Sequence, residues 1–236
     1  MAVRVLVTRP QPDAARTAAK LVELGHEAAI DSLFSIEPLT VREIPAGPFA
    51  ALAATSASAA RIAGAMIELD FLRAVPLYAV GGATAEAARA AGFQTVIDAD
   101  GDAAALAQRL ARDLPCGARV LHLAGEERAK DLGALLAPAG IPVGMLVLYR
   151  VRAAEAFGPA AELLASGKLD AVLHYSPRSA STFVALAERQ GLVPAVCRVW
   201  HLCLSEAVAA PLAAIGAPTE VAGHPNEAAL FALLKS

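Results

Sequence analysis

Strong charge of either sign is missing from this chain. Its 236 residues hold 20 basic and 23 acidic side chains, a formal net charge of −3, and charged residues make up only 18%. Without a basic excess nothing is available to neutralise a phosphate backbone, which argues against a dedicated nucleic-acid binder. The low hydrophobicity and high net charge of a disordered chain are also absent. No stretch of about 20 apolar residues runs without a charge, Pro or Gly, which argues against a membrane span. Cysteine is scarce. Cys116, Cys197 and Cys203 are odd in number and lack metal-ligand spacing, so they read as reduced thiols of a cytoplasmic protein. The opening Met1-Ala2-Val3-Arg4-Val5-Leu6-Val7 begins a strand at once and has neither the basic n-region nor the long apolar h-region of a signal peptide.

What is abundant is small and apolar. Hydrophobic residues reach 56%, and alanine alone supplies roughly a quarter of the chain, well above average usage. The length suits one large or two small domains with sizeable cores. Short β-like runs alternate with alanine-rich helical runs from end to end. Strands are expected at Val3–Val7, Ala28–Phe34, Ala50–Ala54, Leu77–Val80, Thr95–Ile97, Arg119–Leu123, Val143–Tyr149, Ala171–His174, Val199–Leu204 and Glu220–Ala222. Helical patterns follow most of them, at Asp13–Leu24, Ala57–Ile67, Thr84–Ala91, Ala103–Leu114, Asp131–Ala137, Ser179–Arg189, Glu206–Ala214 and Asn226–Leu234. Such alternation predicts an α/β fold of doubly wound parallel sheets with helices on both faces.

The two halves resemble each other. Arg4-Val5-Leu6-Val7 matches Arg119-Val120-Leu121-His122 at a shift of 115, which also carries Gly25 onto Gly140. Thr55-Ser56-Ala57 matches Tyr175-Ser176-Pro177 at 120, and Gly92 matches Gly216 at 124. A period this long is a domain-scale duplication rather than a solenoid. Two extended, charged segments, 35–40 and 148–152, follow the second strand of each repeat. Paired as a ladder over 36–40 and 146–152, they would let the chain leave one domain and later return. One domain would be 1–37 plus 150–236, and the other an insertion at 40–148. Each would keep a five-strand sheet, and a thin hinge would predict mobile domains with a cleft.

In doubly wound sheets ligands bind beyond the carboxyl ends of the strands. Several of those ends carry hydroxyl and glycine residues that open helices: Thr8-Arg9-Pro10, Thr55-Ser56-Ala57-Ser58, Val80-Gly81-Gly82-Ala83-Thr84, Leu123-Ala124-Gly125-Glu126, Tyr175-Ser176-Pro177-Arg178-Ser179 and Leu204-Ser205-Glu206. Helix starts present free N–H groups and partial positive charge, which suit carboxylates or phosphates. The same residues also serve as plain N-caps. Nothing matches a GxGxxG or Walker A loop, a nucleophile elbow or an acid/base carboxylate pair. His122, His174 and His201 read as packed strand residues that could reach a cleft as proton donors. Tyr149, in the ladder, is the aromatic that stands out. Arg9, Arg128, Arg150, Arg152 and Arg178 are the candidate cations.

Val-Leu-Val-Thr-Arg-Pro (5–10), Thr-Ser-Ala-Ser-Ala-Ala (55–60), Tyr-Ala-Val-Gly-Gly-Ala-Thr-Ala-Glu-Ala (78–87), Leu-Tyr-Arg-Val (148–151) and His-Tyr-Ser-Pro-Arg-Ser-Ala (174–180) together resemble the uroporphyrinogen-III synthase family. The resemblance runs through essentially the whole chain in order. It implies two flavodoxin-like domains joined by a two-stranded ladder. It implies a lyase that cyclises the linear tetrapyrrole hydroxymethylbilane to uroporphyrinogen III, with loss of water and inversion of ring D, in porphyrin biosynthesis. It implies a reaction without cofactor or metal, in which the ring-A hydroxyl would leave to give an azafulvene and ring D would attack through its substituted carbon to give a spiro intermediate that reopens and closes inverted. The implied partner is the small-molecule substrate, with hand-over from the bilane-forming enzyme; the chain would act as a cytoplasmic monomer, without nucleic acid or membrane.

Carried over residue by residue, the family's cleft tyrosine is Tyr149, the expected catalytic proton donor. Ser56 falls on the Thr-Ser turn, Thr84 on the Gly-x-x-Thr helix start and Ser176 on the Ser-Pro turn. The expected substrate-binding set is Thr8, Arg9, Ser56, Ala57, Gly81, Gly82, Ala83, Thr84, Arg128, Ser176, Pro177, Arg178, Ser179 and Ser205. The second Gly-x-x-Thr is altered, with Ser205 and Val208 at the positions of Gly81 and Thr84, and Ala124 stands opposite Arg9. Two other readings stay open: a non-catalytic two-domain binder of an anionic small molecule, and a synthase-like domain without activity.

Overall fold

The computed structural model describes residues 2–127 and 131–235. Eleven strands occur among them: β1 (Arg4–Val7), β2 (Glu27–Ile30), β3 (Phe34–Pro38), β4 (Ala51–Ala54), β5 (Leu77–Ala79), β6 (Val96–Asp98), β7 (Val120–Gly125), β8 (Val143–Ala153), β9 (Ala171–His174), β10 (Trp200–Cys203) and β11 (Thr219–Val221). The chain divides into two compact units, 1–35 with 152–236, and 36–151.

The first unit holds a five-stranded sheet in the order β11-β10-β9-β1-β2, with every pair parallel. The second holds a six-stranded sheet in the order β3-β8-β7-β4-β5-β6. Its pairs from β8 to β6 are parallel. The duplication explains both orders. If each repeat numbers its strands one to five, each sheet takes strands one and two from one repeat and three to five from the other. Both then read 2-1-3-4-5, the flavodoxin-like order. The sixth strand, β3, exceeds the five expected. It and β8 carry the chain from one unit to the other, and the bonds Leu39 N–H to Leu148 O (2.8 Å) and Ala154 N–H to Leu33 O (2.8 Å) fix their register.

Continuous burial of the central strands accounts for their alanine- and valine-rich runs. Val5 to Val7, Ala51 to Ala54 and Ala171 to His174 are all buried, as parallel strands covered on both faces require. The helices show the matching periodicity. In Ala103–Asp113, Leu106, Ala107 and Leu110 face the core while Arg109 and Asp113 pair on the outside. Fully burying a leucine such as Leu110 contributes about 1.5–3 kcal/mol. The repeat extends to the punctuation. Gly25 (φ 85°) and Gly140 (φ 65°) both end helices in the left-handed region, where a Cβ would be strained.

Three sequence expectations need correction. The run Ala28–Phe34 is two strands, because Asp31 turns aside to accept the Ala160 N–H (3.0 Å) at the start of helix Pro159–Ala165. That helix and Val193–Val196 were not expected, although each carries a proline in its first turn. The 3₁₀ segment Ile67–Ala74 was also not expected; it buries Leu69 and Leu72, three residues apart, as a three-fold helix should. Among the described residues no helix is long and apolar enough to cross a membrane.

Candidate active site

In each sheet the chain moves outward in opposite directions from the two central strands. The crevice at their carboxyl ends is where such folds bind ligands. In the unit 36–151 that point lies between β7 and β4, which places Gly125 beside Thr55-Ser56. In the other unit it lies between β1 and β9, which places Thr8-Arg9 beside Tyr175-Ser176.

The first crevice is built from hydroxyls. Ser56 has the extended backbone of an N-cap, and its Oγ accepts the Ala59 N–H at 3.1 Å at the start of helix Ala57–Ala65. Its Oγ also lies 2.9 Å from the Tyr149 hydroxyl. Thr55 Oγ1 bonds His122 Nε2 at 3.1 Å. The β7–β8 register slips at Ala124/Gly125, so that Tyr149 rather than Leu148 stands opposite Gly125. A slip of this kind turns a side chain to the other face and is one way a strand aims a functional group. Gly125 leaves the room the phenol occupies: a Cβ there would come within 2.7 Å of the Tyr149 ring. Tyr149 is 9% exposed.

The second crevice is built from charges. Arg9 Nη1 lies 3.0 Å from Glu227 Oε1 and 3.2 Å from Thr17 Oγ1, and its guanidinium sits 4.3 Å from the centre of the Tyr175 ring. Glu227 also accepts from Thr17 Oγ1 (2.8 Å), Tyr175 OH (3.0 Å) and Lys20 Nζ (2.6 Å). Burial pushes the Glu227 carboxyl up, but the bonds from Lys20, Thr17 and Tyr175 outweigh it and hold the group below its usual range. Tyr175 moves the other way, raised by burial and by the Glu227 charge. Arg9 is therefore a neutralised clamp rather than a free cation. Thr8 departs from expectation as well. It is 1% exposed and its hydroxyl donates to the Leu173 carbonyl at 3.2 Å, tying β1 to β9.

The remaining expected residues fall at helix starts. Ser176 repeats the Ser56 geometry, with Oγ accepting the Ser179 N–H at 3.1 Å; Pro177 occupies the first turn, Ser179 is buried, and exposed Arg178 lies 5.0 Å from the Phe34 ring centre. Gly81 and Ser205 are matching extended N-caps without side-chain cap bonds. Gly82 and Ala83 begin the helix Gly82–Ala90, whose first N–H groups have no acceptor within the helix. Carboxylates already stand near both starts. A Cβ on Gly82 would lie 3.6 Å from Asp98 Oδ2, and Glu206 opens the helix after Ser205. Thr84 and Val208 are 5% and 2% exposed, so this repeat position fills the core in both units. Arg128 lies outside the described residues.

The three histidines are packed. His201 Nε2 donates to the Val196 carbonyl at 3.1 Å, so its Nδ1 accepts from His174 Nε2 at 3.0 Å. Burial lowers His201 to about 4; burial, then the facing His201, pushes His174 well below the usual imidazole range. Sequence reasoning missed Glu227, which looked like a helix's opening acid. Tyr175 and Gly125 were legible only as members of strand-end turns, without the partners the fold gives them.

Known proteins bear on this arrangement. A family model for uroporphyrinogen-III synthase HemD matches residues 15–232. The crystal structure of a uroporphyrinogen-III synthetase from Helicobacter pylori 26695 is similar at a TM-score of 0.67 and 19% identity, over 99% of this chain and 98% of that one. A mutant uroporphyrinogen III synthase from the extremely thermophilic bacterium Thermus thermophilus gives 0.55 and 22%, over 99% and 96%. At such identities the likeness concerns the fold. No curated protein sequence gives a significant match. The family match spans nearly all of both units, including every crevice residue named above except Thr8 and Arg9, and on that ground the chain belongs to the uroporphyrinogen-III synthase family.

Proposed function

We propose that the protein is an active uroporphyrinogen-III synthase, a lyase that removes water from hydroxymethylbilane and closes the macrocycle with ring D inverted. The observation that carries this reading is the Tyr149 phenol, seated opposite Gly125 and bonded to Ser56 at a helix start. A phenol donates a proton without first carrying a charge. As the substrate's C–O bond breaks, its electron pair stays on oxygen, which takes the Tyr149 proton and leaves as water. The azafulvene cation that remains meets a phenolate. Ring D attacks through its substituted carbon, and the spiro intermediate reopens and recloses inverted. The proton lost from the ring-D α-carbon at closure restores the phenol.

The substrate is a polycarboxylate, and a protein of net charge −3 does not attract it at long range. Binding is local, through first-turn N–H groups at helix starts such as those at Ala57 and at Gly82–Ala83. Three free cysteines support a reducing, cytoplasmic setting. The bilane closes on its own to the type I isomer, so a monomeric enzyme that receives it from the bilane-forming enzyme is the arrangement we favour. The test is to incubate the protein with hydroxymethylbilane, oxidise the product and separate the isomers. Type III uroporphyrin is expected; type I alone, as without protein, overturns the reading.

A further inference from the structure

We infer that Ser56 is a positioning residue that supplies the proton stabilising Tyr149 once the phenol has given its own away. This rests on the role just proposed for Tyr149. The Ser56 Oγ already accepts the Ala59 N–H at 3.1 Å, and the Tyr149 oxygen is 2.9 Å away. In the resting state either hydroxyl can be the donor to the other. A phenolate can only accept. As Tyr149 loses its proton to the leaving oxygen, the bond must therefore run from Ser56 O–H to Tyr149 O⁻. The chain from Ala59 N–H to Ser56 O–H to the Tyr149 oxygen then points one way, each bond strengthening the next. It starts on the positive end of the nine-residue helix Ala57–Ala65, which favours negative charge at the far end.

This bond gains strength as charge develops, so it lowers the barrier rather than tightening ground-state binding. Gly125 keeps the geometry in place. The register slip sets the phenol against its Cα, and the ring has no room to move toward that strand.

The experiment measures type III formation by Ser56→Gly, Ser56→Thr, Tyr149→Phe and the Ser56→Gly/Tyr149→Phe pair. Gly is accepted at an N-cap, so the fold survives while the hydroxyl is lost. Ser56→Gly is expected to lower kcat about ten- to a hundredfold, the equivalent of one hydrogen bond to a developing charge, with KM little changed. Ser56→Thr should restore most of it. Adding Ser56→Gly to Tyr149→Phe should cost nothing further. An unchanged kcat in Ser56→Gly, an effect on KM alone, or an equal extra loss in the Tyr149→Phe background overturns the inference and leaves the role of Tyr149 standing. Wild-type turnover by Tyr149→Phe removes both.

Discussion

The two crevices share one topology and have opposite chemistry. Between β1 and β9 opposite charges pair beside a half-buried phenol: Arg9 and Lys20 with Glu227, Arg9 also with Asp13, and Tyr175 bonded to Glu227. Between β7 and β4 the groups that meet are hydroxyls beside bare backbone: Ser56 with Tyr149, Thr55 with His122, and Gly125 under the phenol. A duplicated fold thus keeps its backbone plan while the side chains at equivalent ends diverge. The charged end holds its own elements together. The hydroxyl-lined end leaves a proton to offer.

The largest effect expected separates the two tyrosines. Tyr149→Phe should lower type III turnover by about one to two orders of magnitude, at the low end of lost general-acid assistance. Tyr175→Phe should leave turnover near wild type and cost about 1 kcal/mol in a denaturant melt, the worth of its bond to Glu227. Reversed results would exchange the roles of the crevices.

Next is the clamp itself. Glu227→Ala removes the acid that pairs with Lys20 and accepts from Tyr175, leaves Arg9 with Asp13, and should destabilise by about 1–3 kcal/mol. Glu227→Gln, which keeps an acceptor oxygen, should cost less. Because the native carboxyl titrates below its usual range, its stabilising effect is present above that range and lost as pH falls through the native value. The acid limb of the wild-type stability curve should flatten in Glu227→Gln.

Acid should also act through His174 and His201. Both are held neutral in the fold, whereas unfolded imidazoles take up protons below about pH 6.5. Stability should fall by about 1.4 kcal/mol per pH unit for each imidazole below that point, until the native groups titrate, which for His201 means about pH 4. A melt series from pH 7 to 4 that stays flat would contradict the buried, neutral pair. The smallest effect concerns Asp98, whose carboxylate stands near the Gly82 helix start. Asp98→Asn should tighten product binding by about two- to fivefold, as one weakly screened like charge is removed. Fluorescence quenching by product reads this directly, and unchanged affinity would take the Gly82 turn out of the binding surface.

Much of the fold was legible because its signals are local. Burial on both faces forces apolar strands such as Val5-Leu6-Val7, and N-caps such as Ser56, Ser176, Asp102 and Asn226 announce the helices behind them. The site was legible only in part. Ser56 stood out at a strand end and Tyr149 in the ladder, yet their bond joins residues 93 apart in sequence. Thr8 and Arg9 looked equally suited to a ligand and are used up inside the unit, by a carbonyl on β9 and by a carboxylate 218 residues away. No periodicity encodes such partners.

By itself the sequence determined the alternation of strand and helix, the duplication and the weak net charge, because each follows from composition or short-range spacing. Tertiary structure alone decided which hydroxyls and cations remain available. A one-residue slip between β7 and β8 turned Tyr149 toward Gly125 and Ser56, and the docking of Glu227 beside β1 and β9 neutralised Arg9. Both are outcomes of long-range packing, where a shift of a few ångströms determines whether two polar atoms meet.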